Sequence, residues 1–174
     1  MELRIVDYNN VVESNYLDYI KEWENSGESI VPSATKQNNM SFKELFEKWV
    51  VNETDEAYKQ GFVPSTLYFM VDNNNLIIGA IHLRHELNDR LLQNGGHIGY
   101  GIRPSERRKG YAALMLNMLL ENIRLKGYKR VLITCDEDNI GSVRTIEKNK
   151  GLLFDKIEFE GVMTRRYWVN LKTM

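Results

Sequence analysis

A basic turn that contains glycine, between two apolar segments, is the part of the sequence best suited to chemistry. It spans Arg107–Ala112 and follows an apolar stretch that stops at Pro104. Backbone amides at the start of a helix have no partner within the helix, and the helix dipole adds positive charge there. Gly110 and Ala112 let an anion approach closely, and the basic residues add charge. The turn therefore predicts a phosphate site at the start of a helix.

The elements that position this turn are predicted from apolar periodicity, in the order β-α-α-β-β-β-α-β-α-β-β. The predicted strands are Glu2–Asp7, Thr66–Val71, Leu76–Leu83, Gly96–Ile102, Lys129–Cys135, Leu152–Phe159 and Arg166–Leu171. The predicted helices are Val11–Trp23, Ser41 to about Lys59, Glu106–Lys126 and Asn139–Asn149, with a short one in Leu87–Gln93. This order predicts an α/β (α+β) fold, a mixed sheet with helices on both faces.

Composition limits the classes of protein to which the chain can belong. Its 174 residues are 43% hydrophobic and 27% charged, which is typical of one globular domain. The formal net charge of −1 argues against nucleic-acid binding and against a polybasic membrane anchor. One cysteine, Cys135, and three scattered histidines make no metal-binding pattern. With no secretory signal and no apolar run of membrane length, we expect a cytoplasmic protein.

The turn and its context resemble the coenzyme A loop of the GNAT superfamily of N-acetyltransferases. That loop has Arg or Gln, two residues of any type, Gly, any residue, and then Gly or Ala, which fits Arg107–Ala112. The two common glycine-rich nucleotide motifs are absent. The likeness extends to the surrounding elements: a strand before the turn, a buried helix after it, another strand and then Asn139. It covers about Thr66 to Leu171.

The resemblance implies a GNAT-like acyl-CoA N-acyltransferase fold with a largely antiparallel central sheet. It implies a single domain over residues 1–174, with a substrate-side strand and helices in 1–64 and an acetyl-CoA-binding core in 65–172. The implied activity is transfer of the acetyl group of acetyl-CoA, as cosubstrate, to an amine by direct attack. The acceptor is a small-molecule or protein amine, with no nucleic acid and no membrane as partner. A homodimer is left open.

The resemblance also implies which residues hold acetyl-CoA. The strand before the turn has a freed backbone for the pantetheine arm and the thioester: Tyr100, Gly101 and Ile102. The pyrophosphate lies on the turn: Arg107, Arg108, Lys109, Gly110, Tyr111 and Ala112. Asn139 matches a family asparagine that contacts the arm, and Ser142 lies one turn further on the same face. Asn139 also suits the N-cap of its helix, so both roles stay open.

A general acid is missing where the family often has one. The resemblance implies a tyrosine that protonates the leaving thiolate, at the position of Ile146. The usual glycine also comes one residue late, at Gly151, which predicts an altered local register of this helix. Tyr167 or Tyr111 is a candidate replacement, and solvent is the alternative. Cys135 is expected to be a small strand residue rather than a nucleophile, because no basic neighbour is evident to activate it.

A general base is also unassigned. An amine with a pKa near ~10.4 is mostly protonated at pH 7, so a base would assist the reaction. Family enzymes often place Glu or His at the positions that Ile98 and Gly96 occupy here. His97 lies between them, on the wrong side of a regular strand unless a bulge shifts it. Further candidates lie on the preceding strand and its exit: His82, His85 and Glu86.

The missing tyrosine and the unassigned base leave an alternative from another class. In it the chain is a non-catalytic acyl-CoA-binding sensor or regulatory module. Among these residues, His97, Glu86 and Tyr167 are the catalytic candidates of the enzyme hypothesis. The segments expected to bind the acceptor, Asn25–Asn39 and Leu87–Gly95, follow no recognisable motif, so the sequence does not predict the acceptor.

Overall fold

Residues 2–172 are the part of the chain that the structure, a computed structural model, describes. The strands are β1 (Arg4–Asp7), β2 (Ser65–Val71), β3 (Ile77–Arg84), β4 (Ile98–Ile102), β5 (Arg130–Asp136), β6 (Leu152–Phe159) and β7 (Val162–Asn170). The helices are α1 (Glu13–Ser26), α2 (Phe42–Asn52), α3 (Glu56–Lys59), α4 (Asp89–Gln93), α5 (Tyr111–Leu125) and α6 (Ile140–Lys148). The predicted order of elements is confirmed, with α3 as an addition. None of the helices in the described range is long and apolar enough to cross a bilayer.

The strands form two antiparallel sheets. The first has the order β1-β2-β3-β4, and the second has the order β5-β7-β6. Within the described residues every strand pairing is antiparallel. The sheet predicted as one unit is therefore divided between β4 and β5.

Helices cover both faces of the first sheet, as predicted. On one face α5 and α6 pack against the sheets through fully buried residues such as Leu116, Leu120 and Ile146. On the other face α1 and α2 bring an aromatic cluster onto β2. There Phe69 makes edge contacts with Tyr19 and Trp49, at centroid distances of 6.3 and 5.8 Å. β2 and β3 contribute residues to both cores, which fixes these strands between the two layers of helices.

Two predicted helices have different bounds in the structure. The helix predicted from Glu106 begins at Tyr111, because Arg108 and Gly110 have positive φ angles of 65° and 82°, which a right-handed helix excludes. The helix predicted from Ser41 to about Lys59 begins with the expected capping box of Ser41 and Glu44 but is interrupted after Asn52. The Thr54 hydroxyl donates to the Val51 carbonyl at 2.8 Å, and such local bonds compete with helix continuation.

The final strand begins earlier than the predicted Arg166. It begins at Val162, directly after a turn at Glu160 and Gly161. Both turn residues have positive φ, 50° and 81°, as a tight hairpin turn with the right twist requires. Pairing therefore starts at once, with Phe159 opposite Val162.

Candidate active site

β4 and β5 meet at His97 and belong to separate sheets beyond it. We call this separation between β4 and β5 the divide. The His97 amide donates to the Leu132 carbonyl at 2.7 Å, and the Leu132 amide donates to Nδ1 of His97 at 2.9 Å. From Tyr100 to Ile102, β4 pairs with β3 but with no strand on its other edge, among the described residues. An unpaired strand edge offers backbone donors and acceptors to an extended ligand.

The loop after α1 lies directly on β4. A Cβ atom at Gly101 would stand 2.1 Å from the carbonyl oxygen of Val31, so the contact requires glycine. This loop belongs to the segment Asn25–Asn39 that was expected to bind the acceptor. One face of β4 is thus covered by the N-terminal part of the chain.

The start of α5 has unpaired backbone donors. No described residue accepts a hydrogen bond from the amides of Arg108 through Ala113, and no side chain caps the helix. The first bond of the helix runs from the Leu114 amide to the Gly110 carbonyl, at 3.2 Å. Nothing lies within 4 Å of the place where a Cβ of Gly110 would stand. The segment therefore has both the donors and the space that a phosphate needs.

The three basic residues of this turn differ in their contacts. Arg107 points back into the protein, with Nη1 2.8 Å from Glu28 and its guanidinium 4.9 Å from the ring of Trp23. Lys109 forms an ion pair with Glu106 at 2.9 Å. Arg108 is exposed and has no ion pair within the described residues. Arg107 therefore secures the turn to α1, while Arg108 is free to meet a ligand.

A buried arginine with two carboxylate partners holds the other end of the turn. Arg103 is 5% exposed and donates through Nε to Glu22 at 2.7 Å and through Nη2 to Asp18 at 3.0 Å. The Ser105 amide also donates to Glu22, at 2.7 Å. Burial raises the pKa of Glu22, but the bonds from Ser105 and Arg103 outweigh it and hold that pKa below its usual value. Sequence analysis missed this cluster, because its members lie far apart in the chain.

The start of α6 is capped. Oδ1 of Asn139 accepts from the Ser142 amide at 3.0 Å, which confirms the capping role of Asn139. Its Nδ2 has no acceptor among the described residues and is available to a ligand. The carbonyl of Ser142 accepts from the hydroxyl of Tyr100 at 3.5 Å, so β4 and α6 meet beside the divide.

The predicted change in register of α6 relative to the family stays a prediction, and the end of the helix itself is regular. Gly151 is late because Lys150 occupies the left-handed position after the helix, with a φ of 62°. The Gly151 amide bonds to the Ile146 carbonyl, and the Lys150 amide to the Glu147 carbonyl, both at 3.0 Å, which is a regular helix end. A Cβ at Gly151 would stand 2.4 Å from Cγ2 of Ile146. Ile146 is fully buried against this turn, so the site has no space for a tyrosine ring.

Two of the tyrosines near the divide, Tyr100 and Tyr167, have phenols whose pKa is raised. Burial raises the pKa of Tyr100 to about 12. Tyr167 is fully buried on β7, where its hydroxyl donates to Oε1 of Glu147 at 3.3 Å and burial raises its pKa. Tyr111 is the first residue of α5 and packs against the core. Burial also raises the pKa of the Cys135 thiol to about 11, which disfavours a nucleophilic thiolate.

The base candidates occupy separate places. Because Nδ1 of His97 accepts from Leu132, the neutral ring carries its proton on Nε2 and keeps no free lone pair. Burial lowers the pKa of His97 to about 4. His85 is bonded to Thr66 at 2.8 Å, and Glu86 is exposed. No hydrogen bond joins any two of His97, Glu86 and Tyr167 within residues 2–172.

A cavity of about 600 Å³ lies on the α1 and α2 side of β3, next to the start of β4. Its walls come from α2, the loop before α2, β3 and the segment 88–95. His82 and Arg84 of β3 form part of it, and burial lowers the pKa of His82 to about 3. Sequence analysis named His82 but missed Arg84. The signal was its alternation with the buried Leu83, which places Arg84 on the opposite face.

Comparison with known proteins gives one sequence match and several structural ones. The chain matches the family described as acetyltransferase (GNAT) domain over residues 11–151. No curated protein matches its sequence. The structure of dodecameric spermidine N-acetyltransferase from Vibrio cholerae has a TM-score of 0.67 at 17% identity, covering 98% of this chain and 95% of that chain.

Two further solved structures are similar. One, assigned to the GnaT family in Bordetella pertussis, has a TM-score of 0.60 at 12% identity and covers 89% of each chain. The other, assigned as a phosphinothricin N-acetyltransferase, has a TM-score of 0.59 at 13% identity, covering 98% of this chain and 99% of that one. At such identities these likenesses concern the fold alone.

The sequence match spans most of the chain, and the structural matches have the same arrangement of antiparallel sheets and helices. The resemblance and the fold class predicted from the sequence are thereby confirmed. The chain belongs to the GNAT family and is an acetyltransferase.

Proposed function

We propose that the protein is an N-acetyltransferase that moves the acetyl group of acetyl-CoA to an amine. The observation that carries this proposal is the run of unpaired amides from Arg108 to Ala113 at the uncapped start of α5, beside the divided sheet. A hydrogen bond from such an amide to a charged oxygen is worth about 1.5–3 kcal/mol. Several of them suit the pyrophosphate of coenzyme A.

The pantetheine arm would then lie along the free edge of β4, from Ile102 toward Tyr100. This direction leads from the turn before α5 to the point where His97 joins β4 to β5. Two groups on the segments that border this path are free to bind the arm. They are Nδ2 of Asn139 and the exposed guanidinium of Arg108. The acetyl end of the cosubstrate would therefore point toward the cavity beside Arg84.

The transfer itself needs one bond formed and one broken. The neutral amine attacks the thioester carbonyl and forms the C–N bond, the C–S bond breaks, the thiolate of coenzyme A leaves, and the proton released from the nitrogen passes to solvent. We assign His97 a positioning role, since its ring and its backbone hold the closed end of the divide. Ile146 cannot give a proton, and the thiol of coenzyme A is acidic enough to leave without one, with about 8.5 as a guide to its pKa. Positioning and carbonyl polarisation supply most of the catalysis in this account.

Acetyl-CoA binding and turnover test the proposal together. Acetyl-CoA at 100 times its Kd should stabilise the protein by about 2.7 kcal/mol, which a thermal shift detects. Release of free thiol in the presence of an amine panel should then follow. Binding without any turnover would favour the alternative of a regulatory acyl-CoA-binding module, and no thermal shift at millimolar acetyl-CoA would contradict both. A cytoplasmic location stays a prediction from the sequence.

A further inference from the structure

The cavity beside β3 has a charge pattern that bears on the acceptor. Among the described residues that line it are four basic side chains and no aspartate or glutamate. The basic residues are Lys36, Lys48, Arg84 and Arg90. Arg90 forms an exposed pair with Glu160 at 3.5 Å. The other three have no ion pair with any described carboxylate.

Arg84 is the basic residue of the cavity whose guanidinium is held most firmly in place. Its Nη1 donates to the carbonyls of Gly95 and Gly96, at 3.0 and 3.1 Å, which fixes the guanidinium in place. Its Nε and Nη2 bond to no described residue, and both atoms are accessible rather than sealed in the core. Burial lowers the pKa of this guanidinium. A guanidinium that is partly removed from water and has no carboxylate beside it is a favourable partner for an anion.

The neighbours of Arg84 do not reduce this positive charge. His82 stays neutral at physiological pH, because burial and the nearby Arg84 hold its pKa at about 3. The remaining polar groups of the wall are serine hydroxyls and asparagine amides, such as Ser65, Asn52 and Asn94. Hydroxyls and amides donate to oxyanions without adding charge. The cavity therefore favours a ligand that brings a negative charge and disfavours a polycation.

We propose that the acceptor amine carries an oxyanion, a carboxylate or a phosphate, which binds Arg84 in this cavity. The inference rests on the proposed function, because the acetyl end of the cosubstrate must reach the same cavity. The planar guanidinium of Arg84 suits bidentate binding of either anion, while Lys36 and Lys48 contribute charge.

The same charges address the missing base. A positive surrounding disfavours an ammonium ion and lowers the pKa of a nearby amine. More of the bound acceptor is then neutral and able to attack. The attraction between the oxyanion end and the cations offsets the unfavourable position of the amine end near the same cations. The amine end loses its proton to solvent. This account requires no protein carboxylate in the cavity, in agreement with its lining.

A matched set of acceptors tests the proposal with acetyl-CoA as donor. The set is 4-aminobutyrate, 3-aminopropyl phosphate and 1,4-diaminobutane, which share a short aliphatic amine and differ in the charge at the other end. We expect kcat/KM for at least one anionic amine to exceed that for the diamine by tenfold or more. The two anionic members distinguish carboxylate from phosphate as the preferred group.

If none of the three amines is acetylated, a binding measurement tests the proposal instead. We then expect succinate or inorganic phosphate, added to the protein with acetyl-CoA, to raise Tm, and 1,4-diaminobutane to leave it unchanged. A preference for the diamine in turnover, or in binding when turnover is absent, overturns the inference. Either result leaves the proposed function standing, whereas a failure to bind acetyl-CoA defeats the proposed function first.

Two variants on α2 refine the test. Lys48→Glu reverses one cavity charge, and Lys43→Glu reverses an exposed charge on the same helix that does not line the cavity. We expect Lys48→Glu to lower kcat/KM for the preferred anionic amine by about tenfold and Lys43→Glu to change it less than twofold. The thermal shift with acetyl-CoA should persist in both variants. Equal effects of the two variants would overturn the assignment of the cavity.

Discussion

The two helices that border the divided sheet begin in opposite ways. At α6, Asn139 caps the helix and bonds to the Ser142 amide at 3.0 Å. At α5, Gly110 stands at the cap position with a φ of 82°, makes no side-chain cap and leaves space around it. Both helices pack into the same core and are joined by Asn149, whose Nδ2 donates to the Ala113 carbonyl at 3.1 Å.

The start of α6 therefore has a side-chain cap within the protein, whereas the start of α5 has none. A cap such as Asn139 typically contributes about 1 kcal/mol to stability. At α5 the chain forgoes that contribution and holds the uncapped end in place from outside, through Arg107 with Glu28 and Arg103 with Glu22. Because two ion pairs before α5 hold this helix start in place without capping it, we interpret it as a site for a ligand.

Closing the open helix start should have the largest effect. We expect Gly110→Val to weaken coenzyme A binding by at least about a thousandfold, because the side chain blocks several charge-assisted hydrogen bonds. Gly27→Val is the matched control, since Gly27 follows α1 with a φ of 70° and also has open space around it. Both variants should lose about 1–2 kcal/mol from backbone strain. Calorimetry that shows near wild-type affinity for folded Gly110→Val would contradict the assignment.

Removing Arg103, the buried cation that supports the turn, should have the next largest effect. Arg103→Met breaks the hydrogen bonds to Glu22 and Asp18, which remain accessible to water, and we expect the free energy of unfolding to fall by about 1.5–3 kcal/mol. Arg124→Met, which breaks an exposed pair with Glu121 on α5, should cost less than about 1 kcal/mol. Denaturant unfolding measures both variants. Equal losses would show that the Arg103 cluster is not a special support.

The same cluster predicts a dependence on pH. The pKa of Glu22 is lowered in the folded protein, so its stabilising contribution is complete above the ordinary pKa of glutamate. That contribution is lost as the pH falls through the lowered pKa. The stability difference between wild type and Arg103→Met should therefore shrink below about pH 4. A difference that grows in acid would contradict the assigned ion pair.

Changes at the capped helix should have the smallest effect and separate two roles of Asn139. Asn139→Ala removes the cap and should cost about 1 kcal/mol of stability, whereas Asn139→Asp keeps a capping oxygen and should cost only a few tenths. Both remove the free amide donor, so coenzyme A affinity should fall several-fold in each. Unchanged affinity in Asn139→Asp would leave Asn139 with the capping role alone.

Much of the structure around the proposed cofactor site could be predicted from the sequence, because its determinants are local. The turn Arg107–Ala112, the helix after it and the cap at Asn139 lie within one stretch of chain and follow short-range rules of helix starts. The error at the start of α5 arose because Arg108 adopts a left-handed conformation, which its residue type does not favour. The late position of Gly151 has a similar origin, since Lys150 takes the conformation expected of glycine.

The proposed acceptor site could not be predicted in the same way. The cavity combines Lys36 and Lys48 from the N-terminal part with Arg84 from β3, and only the fold brings them together. Likewise Arg103 meets Glu22 across a long sequence separation. His97 seemed suited to catalysis by its residue type, but its position between β4 and β5 engages Nδ1 in holding Leu132. Such roles depend on long-range contacts that spacing along the chain does not encode.

An NMR titration of the amide resonances with coenzyme A tests the central claim most directly. The account predicts that the largest shifts fall on the amides of Lys109, Gly110, Tyr111 and Ala112, which have no acceptor in the described structure. The Ser142 amide, already bonded to Asn139, should change much less. Saturating coenzyme A that shifts other amides and leaves the 109–112 segment unchanged would contradict the account.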